Sequence, residues 1–315
     1  MNPILRFIFQ RICVSVATIF VIATTTFVLM KSAPGDPFQD EKGVPAECLI
    51  RMRQFYGLDD PLPQQYLRYV RQVFSFDFGP SLKYPTQDVG SIIRSGFKTS
   101  FILGFEALLF ACPLGIFLGV ISALHANRFK DTLCRAFCVL GVSLPSFVLA
   151  TGLQFFLSIY FPLFPIARLS SFYHTILPAT ALAIGPACMI ARLLRTSILE
   201  ILSHDFIHTA HAKGLEKNHI LLFHILKNSI LPILSYLGPL TANILVGSFI
   251  VERVFAIPGL GQWFVSSVMN RDYPVIGGLT LFYSIILLTV HTVIDILASR
   301  LDPRITLYSN KQFNS

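Results

Sequence analysis

The chain has 315 residues, of which 53% are hydrophobic and only 13% charged, with a mean hydropathy of +0.64 and a net charge of +8. An ordinary soluble domain carries about 25% charged residues, so this composition excludes a soluble globular protein and points to an integral membrane protein. The apolar residues recur in six blocks, which excludes a single anchor carrying a soluble domain.

Crossing the hydrocarbon core as a helix takes roughly 17–25 mainly apolar residues. The first block that qualifies is 12–30. It is too long for a cleavable signal and is followed by Lys31-Ser32-Ala33-Pro34 rather than an A-x-A-like site, so it reads as a retained helix. A loop over 31–98 follows, long enough to carry short helices. The remaining blocks are 101–124, with Glu106 inside it, 136–160, 172–191, 229–251 and 276–298. The fourth is the weakest, because Pro178 and Pro186 lie within it.

Lys and Arg near the ends of the blocks set the orientation. Arg6 and Arg11, then Arg128, Lys130 and Arg135, then Arg192, Arg195, Lys213, Lys217 and Lys227, then Arg300, Arg304 and Lys311 fall on one side. Short loops on the other side hold only Arg168, Arg253 and Arg271. Long segments cross largely regardless of charge, so the basic residues of 31–98 do not count against this. Both termini are therefore expected to be cytoplasmic, and the positive net charge calls for no nucleic-acid partner. Of the six cysteines only Cys48 falls in an outer loop, so no disulfide framework is expected.

Catalytic signatures are missing. A P-loop needs G-x-x-x-x-G-K-[ST], and the chain has no Gly-Lys pair; H-E-x-x-H and G-x-S-x-G are absent too, the stretch Gly141-Val-Ser143-Leu-Pro145 having Pro where the second Gly belongs. No catalytic residue is expected. The candidates for ionisable groups deep in the membrane are Glu106, His291 and Asp295, and Glu106 is the only acid well inside. An intramembrane carboxylate is a functional candidate, which leaves open a proton-coupled secondary transporter using Glu106.

Between the fourth and fifth blocks the chain reads HTAHAKGLEKNHILLFHILKNSILP from His208 to Pro232, on the cytoplasmic side. Its start reads as a short helix with Asp205 as N-cap, Lys213 suited to the negative end and Gly214 in the left-handed position that stops it. Thr209, Ala210 and Ala212 give that helix little bulk, which suits reception in another protein's groove. A second helix over 218–228 would lead to Leu231-Pro232 at the start of the fifth block. Two other readings of the segment stand beside docking: an amphipathic helix lying on the lipid, and zinc binding by His204, His208 and His211 at helical spacing. No Cys completes a zinc site, so no metal is expected.

His208-Thr-Ala210-His-Ala-Lys-Gly214 with Ile230-Leu231-Pro232 resembles the cytoplasmic "EAA…G…LP" loop of bacterial ABC importer permeases, in the form used by the peptide-importer branch. The resemblance continues through Ala33-Pro-Gly-Asp-Pro37, Tyr56-Gly-Leu-Asp59, Pro61-Leu62, Gln65-Tyr66, Asp77-Phe-Gly79 and Ser81-Leu82. It then takes in Ser143-Leu-Pro-Ser-Phe147, Glu252-x-x-Phe255-x-x-Pro258-Gly259-x-Gly261, Asp272-Tyr-Pro274 and Leu301-Asp-Pro-Arg304.

That resemblance implies an all-α fold with six membrane helices in the inner membrane, and no cofactor. It divides the chain into the N-terminus and first helix (1–30), a periplasmic loop (31–98), a permease core (99–300) containing the coupling loop 192–228, and a cytoplasmic tail (301–315). It implies a heterodimer with a second, related permease, two ATP-binding subunits docked on residues 205–216, a periplasmic solute-binding protein, and peptide as cargo. Asp205, His208, Thr209, Ala210, Ala212, Lys213, Gly214, Leu231 and Pro232 would form the coupling element. Glu106, Pro145, Pro178, Pro186 and Pro239 are candidates for the translocation path, since prolines leave carbonyls unpaired that in lipid need neighbours or water. A non-transporting membrane scaffold is the third class, and it leaves those prolines without a role.

Overall fold

The structure, a computed structural model, describes residues 3–32, 35, 38, 46–245 and 247–301. The described residues are helical almost throughout, with one isolated β-bridge between Pro80 and Asp88. The predicted loop does carry helices: after α1 (Pro3–Ser32) come α2 (Ala46–Tyr56) and α3 (Leu62–Ser75). The further long apolar helices are α4 (Val89–Leu124), α5 (Phe129–Ser143) with α6 (Ser146–Gln154), and α7 (Tyr173–Leu202). Among the described residues five helices are long and apolar enough to cross a membrane, or six if the bent pair α5 and α6 counts as one span. The tail from 302 onward, most of Ala33-Pro-Gly-Asp-Pro37 and the side chain of Leu231 lie outside the described residues.

Two expected spans differ from their sequence reading, and proline is the cause in opposite senses. The block 136–160 is two arms bent by 101°, Phe129–Ser143 and Ser146–Tyr160, the second ending in a π-helical stretch. Proline disfavours the helical region for the residue before it, and Leu144 accordingly takes φ −83°, ψ 124°, so the helix stops and restarts at Pro145. In contrast α7 runs 30 residues without interruption through Pro178 and Pro186. It extends eleven residues beyond the predicted end, so that Arg192 and Arg195 are helical.

Contacts divide the chain into two compact units, Met1–Thr99 with Gly259–Leu288, and Ser100–Pro258 with Thr289–Ser315. In the first unit α3 lies against α1: Phe27 meets Tyr66 and Tyr69 with ring centroids 5.3 and 5.6 Å apart, and Thr24 hydrogen-bonds Tyr66 at 2.9 Å. The unit also holds α2, the first part of α4 and, far along the chain, α13 (Leu260–Met269) and the first part of α14 (Tyr273–Leu301). Between them Asp272, 2% exposed, accepts hydrogen bonds from the Ser81 hydroxyl and from the amides of Leu82 (3.1 Å) and Lys83 (3.4 Å). Two short motifs almost two hundred residues apart in sequence are thereby fastened together.

The second unit is built around α7, whose apolar and small residues fill its core: Ala179, Ala187, Cys188, Ile190 and Ile198 have no measurable exposure. α4 reaches α7 closely because a Cβ at Gly115 or Gly119 would come within 2.7–2.9 Å of the carbonyls of Ala187 and Ala191. Small residues are what let membrane helices approach backbone to backbone. The unit is completed by α8 (Asp205–Ala212), by a helix from 217 to 229, by α11 (Leu231–Leu245) and by α12 (Phe249–Val254). The 217–229 helix is α9 (Lys217–His219), a π-helical turn (Ile220–Leu226) and α10 (Lys227–Ser229).

Candidate functional site

α7 ends at Leu202 and only Ser203 and His204 separate it from α8. Of these two, only His204 has the extended backbone (φ −82°, ψ 142°) that a capping position requires, so His204 is the N-cap, and its side chain accepts no bond from the helix amides. Asp205 is thus the first helical residue, not the cap, and its carboxylate lies in the first turn, where the helix end is partially positive.

The other end of α8 is as expected. Gly214 has φ +76°, Lys213 is the C-cap, and two bonds close the last turn: Gly214 N–H to the carbonyl of His211 at 3.0 Å and Leu215 N–H to the carbonyl of Ala210 at 3.3 Å. This paired closure satisfies carbonyls that a helix end would otherwise leave orphaned, and it needs a left-handed residue after the cap. The space around Gly214 is open, so a side chain there would suffer from backbone conformation rather than from collision.

α8 has two unlike faces. Ile207 (2% exposed) and Ala210 (5%) join a cluster with Ile190, Leu194, Ile198 and Ile201 of α7, Ala123 of α4, Ile220 and Ile225 of the following helix, and Ile233 of α11. Ala210 is therefore an anchor of the helix, not part of the small outer surface that its sequence context suggests. Asp205, Phe206, His208, Thr209, His211, Ala212, Lys213 and Gly214 are exposed. The histidines do not converge with other donors: among the described residues no group of three or more His, Cys, Asp or Glu is placed to hold a metal ion. Pro232 is exposed at the second position of α11, where its missing N–H costs no helical bond.

On the elements that lead into this helix lies a buried polar cluster, whose arginines entered the sequence analysis only as charge. Asp131, in the first turn of α5 and with no exposed surface, receives both Nε (2.8 Å) and Nη2 (2.8 Å) of Arg195 on α7. It also accepts from the Ser122 hydroxyl of α4 (2.6 Å) and from the amide of Asn127 (2.9 Å), with Arg135 Nε at 3.5 Å. One carboxylate thus ties the ends of α4, α5 and α7 together just before α7 passes into α8. The legible signal was a lone acid among Arg128, Lys130 and Arg135. A second missed pair is Ser100 and Glu252, both fully buried and joined at 2.7 Å.

The path candidates part company. Pro178 is buried in the α7 core and faces no open surface, because neighbouring helices close over it. Pro186 is half-buried, while Pro145 and Pro239 are exposed, and Glu106 is half-buried on α4. Ser143 and Ser146 on either side of the α5–α6 break are exposed as well.

Residues 115–307 match the family described as binding-protein-dependent transport system inner membrane component, and residues 4–82 match its N-terminal counterpart. The dipeptide transport system permease protein DppB of Bacillus subtilis (strain 168) is 46% identical over 303 residues, 96% of this chain and 98% of that protein. The oligopeptide transport system permease protein OppB is 39% identical in Haemophilus influenzae and 37% in Escherichia coli K12, again over 96% of this chain and 99% of each relative. Among solved structures, an amino acid ABC transporter with histidines and the inward-facing MetNI methionine ABC transporter each align at 18% identity with TM-scores of 0.53. They cover 66% and 67% of this chain and 94% and 96% of theirs, a likeness of fold.

Proposed function

The chain belongs to the family of binding-protein-dependent transport system inner membrane components, and from that premise we propose that it is the first of two permeases in a peptide importer driven by separate ATPase subunits. The cargo assignment rests on the relatives, which are dipeptide and oligopeptide permeases. The same kinship sets aside the proton-coupled transporter and the scaffold. The chain is a multi-pass inner-membrane protein; by the Lys/Arg asymmetry both termini and α8 face the cytoplasm.

The observation that carries the coupling role is the two-faced construction of α8. Its buried side fastens it to α4, α7 and α11 through the isoleucine cluster, while its exposed side makes only contacts local to the helix, Thr209 to the carbonyl of Asp205 and Phe206 against His204. An ATPase that receives the exposed face moves α7 with it, because only two residues intervene. The Asp131–Arg195 clamp passes that motion to α4 and α5. The exposed break at Pro145 stands at the far end of α5; irregular backbone within an apolar span is tolerated only against protein or water. Its exposure, like that of Pro239 and the open side of α4, supports a position along the route between the two permeases. A periplasmic solute-binding protein delivers the peptide to that route.

Reconstituting both permeases in vesicles with and without the two ATPases tests the reading. Uptake from the loaded binding protein is expected only with the ATPases and ATP; uptake by the permeases alone overturns it. Orientation has its own check. Exposed Cys48 should label with an impermeant thiol reagent from outside in a variant lacking the other cysteines, and Lys213→Cys only after the inner face is opened.

A further inference from the structure

α4 is a membrane-length helix with one side closed and one side open. Gly104, Ala107, Ala111, Gly115 and Gly119 form the closed side; Gly104 meets the backbone of Ile244 in α11, and Gly115 and Gly119 meet α7. Glu106 is two residues beyond Gly104, about 200° around the helix. It shares the opposite stripe with Ile102, Leu109, Pro113 and Phe117, all exposed. Its Oε2 is buried yet has no hydrogen-bond partner among the described residues. A carboxylate in an apolar span is costly against lipid, and such groups face a bundle interior or a watery cavity and meet a counter-charge. The open stripe of α4 is therefore not a lipid face.

The same stripe holds a second acceptor. Pro113 lies inside α4 and has no N–H to give to the carbonyl of Leu109, one turn from Glu106. A carboxylate and a freed carbonyl accept hydrogen bonds and offer none, so what they select is a cation rich in donors. A divalent metal is poorly served, since it takes more oxygen ligands than these and, among the described residues, no group of three acidic, His or Cys side chains is placed to hold one. An ammonium, with three N–H donors, fits.

Resting on the importer reading above, we propose that Glu106 is the permease's recognition group for the peptide's N-terminal ammonium as cargo passes along the open stripe of α4. Binding of trialanine and of N-acetyl-trialanine to the detergent-solubilised permease–ATPase complex, without the binding protein, tests it. The wild-type complex should prefer the free amine by about 10-fold or more, the scale of a hydrogen bond to a charged group. Glu106→Gln should bind both peptides alike and slow ATP-dependent uptake, and Glu106→Asp should keep part of the preference. No preference in the wild type, or a preference that survives Glu106→Gln, overturns the proposal. So does loss of the second permease on purification of Glu106→Gln, which would put the counter-charge on that partner. Proton influx that accompanies uptake and vanishes in Glu106→Gln overturns it too. Uptake that proceeds without the ATPases would instead refute the importer reading itself.

Discussion

The Asp131–Arg195 clamp and helix α8 occupy successive stretches at the same end of α7 and are held in opposite ways. The clamp is polar and closed: four hydrogen bonds, two of them the bidentate pair with Arg195, converge on a carboxylate with no exposed surface. α8 is held from beneath by Ile207 and Ala210 alone, caps itself through backbone bonds, and leaves every other side chain open. A buried ion pair demands one geometry and punishes its loss, whereas an apolar seat holds a helix in place while leaving its upper face free to be received by something else. Under the proposed function, the difference separates a base that transmits motion from a surface that collects it.

Asp131→Ala should give the largest effect. It strands the Arg195 guanidinium without its partner, at a cost of about 3–5 kcal/mol. A thermal-shift assay on the solubilised heterodimer should register it as a large fall in the midpoint, with folded yield reduced. An unchanged midpoint would mean that the clamp is not structural. Ala210→Asp comes next. It places a carboxylate in the isoleucine cluster, costing about 2–3 kcal/mol, and should unseat α8; proteolysis within 203–217 would rise together with loss of the ATPases. Were Ala210 a contact for the partner instead, attachment would fail while proteolysis stayed normal. Gly214→Val is smaller for the permease itself: the left-handed backbone strain is on the order of 1–3 kcal/mol, confined to an open turn. The least effect belongs to Gln64→Ala, on the exposed side of α3, which should stay within about 0.5 kcal/mol.

Hydropathy and the Lys/Arg pattern were enough to read the helical class and the six apolar blocks, because both depend on residues near one another in sequence. Gly214 was legible for the same reason: a left-handed helix stop is a local demand met by one residue type. The unbroken course of α7 through Pro178 and Pro186 was not legible, since it depends on neighbouring helices. Pro145 was read only as a source of an unpaired carbonyl, because the proline rule does not say how far the chain turns. Ala210 illustrates the limit most plainly. An alanine on a short helix looks the same whether it points to a partner or to its own core, and only Ile207, Ile220 and Ile225 closing around it decide the matter. Asp131 and Arg195 were visible as charges but not as a pair, their partnership being a product of how α5 and α7 meet.

The account turns on α8 being the surface through which ATP hydrolysis reaches the membrane helices, and co-purification of the ATPases with Gly214→Val tests that most directly. The variant should insert and pair with the second permease as the wild type does. It should nonetheless retain the ATPases about five-fold less well or worse, the lower end of what that strain allows, with substrate-stimulated hydrolysis and uptake falling together. Full retention of the ATPases, with hydrolysis and uptake still coupled, would contradict the claim.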